Sequence, residues 1–173
     1  MFALVITGPP GAGKTTVLEA LSDALSAEDV RHATIEVEAL TSAHPPLADE
    51  QWPQPLEGIC GLYRRFGYGL LLIVATVESE QDLRGVVAAI GADEHVVVRL
   101  EAEPLTLRRR IVEREPDGWE GLDQLVEAAA RLAPAIAAMD GIDLAFNTEE
   151  QDPRAVAERI RDAWPARLRA TGA

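Results

Sequence analysis

The sequence predicts an α/β fold in one domain, a parallel sheet covered by helices on both faces. Three observations carry that expectation. Short apolar, β-branched runs recur along the chain, as strands buried on both faces require. Stretches with apolar residues at helical spacing alternate with them. The 173 residues, 47% hydrophobic and 26% charged, suffice for one ordinary core, and no internal repeat or low-complexity linker divides them.

Each element follows from its own residues. Phe2-Ala3-Leu4-Val5-Ile6-Thr7 is a continuous apolar run and the first strand. After a glycine-rich turn, Thr15 to Ser26 places Val17, Leu18, Leu21 and Leu25 on one helical face. His32 to Val37 is the second strand. Thr41 to Pro55 carries Pro45, Pro46, Pro53 and Pro55 and is expected as an exposed loop. Leu56 to Phe66 reads as a helix, with Ile59, Leu62, Tyr63 and Phe66 on one side. Leu70 to Thr76 is the third strand, followed by a helix over Gln81 to Ile90. His95 to Leu100 is the fourth strand. Pro104 suits a helix start, where its missing N–H costs nothing, and that helix runs to about Glu113. Glu115-Pro116-Asp117-Gly118 is a turn. Leu122 to Met139 is helical with a kink at Pro134, Ile142 to Phe146 is the fifth strand, and Pro153 to Leu168 closes the chain as a helix.

Charge and cysteine usage narrow the function classes. Asp and Glu number 29 against 16 Lys and Arg, a net charge of −13. Phosphate backbones and anionic lipid would repel such a surface, so neither nucleic acid nor membrane is an expected partner. The longest apolar run, Leu70 to Val77, is far short of the ~20 residues of a membrane helix. Met1 to Thr7 is apolar but has no basic region and too few apolar residues for a signal peptide, so a cytoplasmic location is expected. Cys60 is the single cysteine, which leaves no internal disulfide and no multi-thiolate metal site. On an apolar helix face, it reads as a small buried hydrophobe.

The specific signal is Gly8-Pro9-Pro10-Gly11-Ala12-Gly13-Lys14-Thr15, which fits the phosphate-loop pattern G-x-x-x-x-G-K-[ST] without a mismatch. It lies between a buried strand and an amphipathic helix, the context that pattern needs. The glycines let the chain approach a phosphate closely. Amides from Gly11 to Thr16, through Ala12, Gly13, Lys14 and Thr15, are expected to point inward at the positive end of the first helix. Pro9 and Pro10 have no N–H to give and stiffen the turn. Lys14 supplies a movable positive charge for the β- and γ-phosphates, and the Thr15 hydroxyl is a hard oxygen ligand for Mg²⁺. Bound ATP and Mg²⁺ are the expected cofactors. A Ras-type GTPase would carry N-K-x-D where this chain has Phe146-Asn147-Thr148-Glu149-Glu150, and D-x-x-G where it has Ala75-Thr76-Val77-Glu78. A motor ATPase would require more chain.

On this motif and the strand order, the chain resembles the small phosphate-loop kinases: shikimate, gluconate and adenylylsulfate kinase, chloramphenicol phosphotransferase and the nucleoside monophosphate kinases. It also looks like actinobacterial ATP-binding proteins of unassigned substrate, which share a proline-rich stretch after the second strand. The resemblance implies a three-layer α/β/α fold with a five-stranded parallel sheet ordered 2-3-1-4-5. It implies an acceptor site over the second and third strands, and a short lid at about residues 115–120. The activity implied is transfer of the γ-phosphate of ATP to a small hydroxylated acceptor, metabolite or antibiotic, by a monomer or homodimer. The other reading is a nucleotide-binding regulatory protein with slow ATP hydrolysis, kept open by the lack of a clear acidic Walker B residue.

The resemblance also assigns roles. Ile35-Glu36-Val37-Glu38 sets two carboxylates two apart at a strand end, on one face. Shikimate and gluconate kinases have aspartates there, one carbon shorter, that touch Mg²⁺-bound water and the acceptor hydroxyl. Glu38, nearer the C-terminal edge, is expected as the catalytic carboxylate and Glu36 as the metal-side one. Glu78, past the third strand, is a further candidate for Mg²⁺ through water. Arg110 and Arg114, four apart on one helix face, correspond to the lid arginines that close over the ATP phosphates. Arg108 and Arg109 are expected to face solvent, and Arg131 to form a helix-face ion pair. The loop Asn147 to Pro153 falls where these kinases pack the adenine. His32, His44 and His95 lack metal-ligand spacing. Trp52, Tyr63, Tyr68 and Trp119 are candidates for lining an acceptor pocket, with core packing the expectation for Tyr63.

Overall fold

The computed structural model of the chain describes residues 1–48 and 50–164. Five parallel strands form one sheet: β1 (Phe2–Thr7), β2 (Ala33–Glu36), β3 (Leu70–Val74), β4 (Glu94–Glu101) and β5 (Leu144–Asn147), in the order β2-β3-β1-β4-β5. β1 is central and registers Leu4 against Leu72 on one side and Val96 on the other. Six consecutive residues of β1 and five of β3 are buried. Their alternation shows why: Leu4 and Ile6 pack with Val17, Leu21 and Leu25, whereas Ala3 and Val5 pack with Leu56, Cys60 and Leu83 on the opposite face. A strand with helices above and below keeps both of its side-chain rows out of water.

The helices are α1 (Lys14–Ala27), α2 (Val37–Thr41), α3 (Pro53–Arg65), α4 (Glu80–Ile90), α5 (Pro104–Arg114), α6 (Leu122–Ala137) and α7 (Pro153–Asp162). α1 and α7 pack together on one face of the sheet and α3 and α4 on the other. α5 packs on α6. Ser79 caps α4 by accepting the Asp82 amide at 3.1 Å, and Asp152 caps α7 through the Arg154 amide at 2.9 Å, which satisfies N–H groups that a first helical turn leaves open.

Several expected boundaries are corrected. The second strand stops at Glu36 and not Val37, because the chain turns at once into the five-residue α2. The segment expected as a loop from Thr41 to Pro55 ends earlier: Pro53 and Pro55 sit inside the first turn of α3, at positions whose N–H groups have no helical acceptor to lose. The fifth strand begins at Leu144, two residues later than expected, and the closing helix ends at Asp162; Leu168 lies outside the described residues. Among the described residues no helix is long and apolar enough to cross a membrane.

Candidate active site

Every strand delivers a site residue at its C-terminal end. Gly8 follows β1, Glu36 ends β2, Thr76 lies past β3, Glu101 ends β4 and Thr148 follows β5. The chain goes from β1 to β2 and β3 on one side, then crosses from β3 to β4 and β5 on the other, and such a switch point opens a crevice at the carboxyl edge.

The loop between β1 and α1 fills that crevice. Gly8, at φ 149°, runs so close to β4 that a Cβ there would lie 2.4 Å from the Leu100 carbonyl oxygen. Gly13, at φ 91°, precedes α1 in the left-handed region, and a Cβ on it would meet nothing within 4 Å. The glycine therefore keeps open space in front of the α1 N-terminus. The first intrahelical bond there is the Val17 amide to the Gly13 carbonyl, 3.0 Å, so the N–H groups of Lys14, Thr15 and Thr16 have no helical acceptor. These donors, at the positive end of a 14-residue helix, fit a phosphate. Ala12 departs from the expected set of inward amides. Its N–H donates to the Pro9 carbonyl at 3.1 Å and its carbonyl lies 3.1 Å from the Thr148 hydroxyl, so this fully buried residue braces the loop.

Lys14 curls back over its own loop, donating to the carbonyls of Gly8 at 2.8 Å and Pro9 at 3.3 Å. Burial pulls its ammonium down from 10.5 to about 8; the attraction of Glu38 and of Glu36 offsets part of that, and Arg114 adds to the depression. A lysine so placed is short of negative charge, which a polyphosphate supplies. The Thr15 hydroxyl donates to Glu36 Oε2 at 3.0 Å, pairing the two hard oxygen donors expected for Mg²⁺. Among the described residues no three His, Cys, Asp or Glu side chains are grouped to hold a metal by themselves. The donor set therefore fits an ion that takes its remaining ligands from phosphate and water.

Glu38 reaches this site from the first turn of α2 and not from a strand end. The change of element alters the reason for convergence, since the two carboxylates are brought together by a turn. Glu38 Oε1 accepts the Thr76 amide at 2.6 Å, tying α2 to the loop after β3. Glu78 is engaged elsewhere: Arg131 of α6 donates to its Oε2 at 3.0 Å, an ion pair across elements and not along the helix face expected for Arg131. That contact competes with a metal role for Glu78.

Across the loop, α5 brings Arg110 and Arg114 to one cavity of about 350 Å³, shared with Gly11, Gly13, Thr148 and Gln151. Arg110 donates to the Thr148 hydroxyl at 3.0 Å, to the Thr148 carbonyl at 2.8 Å and to the Gly11 carbonyl at 3.3 Å. Arg114 is exposed and pairs with Glu115, 2.6 Å away. Arg108 and Arg109 face solvent as expected. Residues 115–120 form a short turn, with Trp119 packed over Gly121.

Sequence reasoning placed the loop after β5 by position alone and missed two individual residues in it. Buried Thr148 accepts from Arg110 while its own proton has two carbonyls within 3.1 Å, those of Ala12 and Glu101. Glu149 accepts the Glu103 amide at 3.1 Å and the Thr106 hydroxyl at the start of α5. That Thr106 hydrogen bond, then the Glu103 amide, lowers the Glu149 pKa. A Thr-Glu pair directly after a strand was the only available signal, and it names no partner.

On the other side of the loop, beyond β3, a second cavity of about 210 Å³ is lined by Glu38, Trp52, Thr76, Asp82 and apolar neighbours. Trp52 alone of the four expected aromatics lines it. Tyr63 and Tyr68 meet edge to face, with centroids 5.2 Å apart, and Arg31 lies over Tyr68. His32 is a strand-edge residue held between the Ser22 hydroxyl and the Val30 carbonyl, each at 2.8 Å. Cys60 is buried as expected, and burial pushes its thiol up to about 11.

Comparison with known proteins agrees with this architecture. A sugar kinase from Janibacter sp. HTCC2649 superimposes with a TM-score of 0.69 at 20% identity, covering 96% of this chain and 97% of that one. An APS kinase from Mycobacterium tuberculosis, solved with AMPPNP and APS, gives 0.62 at 16% identity over 92% and 95%. A shikimate kinase from Acinetobacter baumannii, solved with shikimate, gives 0.58 at 18% identity over 92% and 90%. At these identities the likeness is one of fold. No curated protein matches the sequence. A family model described as an AAA domain matches residues 4–135, which contain the phosphate loop, both carboxylates and the arginine helix. The chain belongs to this AAA-domain family of phosphate-loop proteins.

Proposed function

We propose that the protein is an ATP-dependent phosphotransferase that moves the γ-phosphate to a hydroxyl of a small acceptor. The observation that carries this reading is the pair of cavities on opposite sides of one phosphate loop. The one at Thr148 and Gln151 suits the nucleoside of ATP, and the one at Glu38 and Trp52 suits an acceptor. The second holds Glu38, a carboxylate that acceptor chemistry needs and that nucleotide binding alone does not. The kinase folds similar to this one, including one solved with AMPPNP and APS, support the same reading.

The residues divide the work by position. The amides of Lys14, Thr15 and Thr16 hold phosphate oxygens, and Lys14 neutralises charge as it develops on the transferred group. Thr15 and Glu36 would hold Mg²⁺, which supplies charge shielding when bound. Glu38, with one oxygen fixed by the Thr76 amide, orients the acceptor hydroxyl with the other and takes its proton as the new phosphate ester forms. Arg114 is free to turn from Glu115 toward the phosphates, because an exposed ion pair holds it only weakly.

Glu38→Gln tests the reading. It keeps size and the bond to Thr76 but removes basicity. Acceptor-dependent turnover should fall by roughly 10²–10⁴-fold, the contribution of a positioned general base, while nucleotide affinity stays near that of the native protein. Full turnover in this variant would remove Glu38 from the reaction. Collapse of nucleotide binding would move it to the metal side.

A further inference from the structure

The acceptor cavity carries charge of one sign. Its two ionisable lining residues are Glu38 and Asp82, and its walls are Trp52, Val77 and Val86 with Thr76 between them. Neither lysine nor arginine lines it. The two acidic groups are also unequal. Glu38 is bound to the Thr76 amide and faces the phosphate loop, where Lys14 feels its charge. Asp82, half-buried in the first turn of α4, has among the described residues only the Glu78 amide on its Oδ2, at a long 3.3 Å. A carboxylate at the edge of an apolar-walled cavity is stabilised by a cation and is repelled by an anion.

Resting on the phosphotransferase reading, we propose that the acceptor is a small amino alcohol: its hydroxyl meets Glu38, its apolar skeleton lies on Trp52, and its ammonium pairs with Asp82. The same arrangement disfavours hydroxy acids and phosphorylated alcohols, because each would place an anion beside Asp82 and Glu38, with no lysine or arginine among the described lining residues. The volume of about 210 Å³ is that of a small, single-ring compound.

The test is binding, which separates this inference from the transfer reaction itself. Three ring-sized probes are compared in the presence of MgADP by saturation-transfer NMR: aminocyclohexanol, cyclohexanediol and hydroxycyclohexanecarboxylate. The amine should bind about tenfold tighter than the diol, the margin of one charge-assisted bond, and the acid weakest. Asp82→Asn retains an oxygen for the Glu78 amide and should bring the ratio of amine to diol down to near one. Asp82→Lys should reverse the order, with the acid bound in preference to the amine. MgADP affinity and the melting temperature report whether each variant is folded. Tighter binding of the acid to the native protein, survival of the amine's margin in Asp82→Asn, or absence of binding by all three probes would overturn the proposal. Phosphorylation of the hydroxy acid would do so too while leaving the chain a kinase.

Discussion

Lys14 concentrates the chemistry of the phosphate loop in one titrating group. Its folded value of about 8 lies below the ordinary 10.5. Between those values the unfolded chain binds more protons than the folded one, so this group makes the protein more stable as pH rises through that window. Nucleotide binding has the opposite sign. Phosphates favour the ammonium, so MgADP should bind with net proton uptake near pH 8, and its affinity should fall as pH rises further. Calorimetry in buffers of different ionisation enthalpy reads that uptake directly, and it should vanish in Lys14→Ala. The same variant should slow phosphoryl transfer by about 10²–10³-fold, as loss of one preorganised donor does. Uptake that persists without Lys14 would assign the proton to another group.

At the scale of elements, the nucleotide side depends on α5 being held to the loop between β5 and α7. Arg110 joins Thr148 to the phosphate loop, and Glu149 reaches back to the first turn of α5. Arg110→Met keeps the length of the side chain and removes its charged donors. It should cost about 1.5–3 kcal/mol, the range for hydrogen bonds to charged groups, and weaken MgADP binding, both readable from urea unfolding and nucleotide titration. Loss of stability with unchanged nucleotide affinity would make Arg110 a brace only. This device also marks where sequence reading stopped. The phosphate loop was legible because its glycines, lysine and threonine are fixed by local backbone geometry. β1 and β3 were legible because burial on both faces leaves an unbroken apolar run. Arg110 showed in the sequence as part of a basic face, whereas Thr148 and Glu149 gained roles only by contacts across 38 or more residues. Glu38 lies on α2 and not at the expected strand end, since a five-residue helix starting inside I-E-V-E has no period to detect. Pro53 and Pro55 masked the start of α3 because proline signals a loop unless it falls in a first turn.

For the whole molecule, the order β2-β3-β1-β4-β5 places the Thr148 cavity beside β5, the Glu38 cavity beside β2 and β3, and the phosphate loop between them on β1. Ligand on that edge contacts elements from both halves of the sheet. MgATP at a hundredfold over its dissociation constant should stabilise the fold by about 2.7 kcal/mol, with a smaller gain from GTP. A melting curve indifferent to every nucleotide would contradict the assignment of the loop. The account as a whole turns on where the γ-phosphate goes. ATP radiolabelled in that position, incubated with Mg²⁺ and hydroxylated small molecules sorted by charge, should yield label in an organic phosphate ester, with transfer abolished in Lys14→Ala and strongly reduced in Glu38→Gln. Label recovered solely as inorganic phosphate, at a rate that no acceptor changes, would contradict the kinase reading and leave a nucleotide-hydrolysing protein.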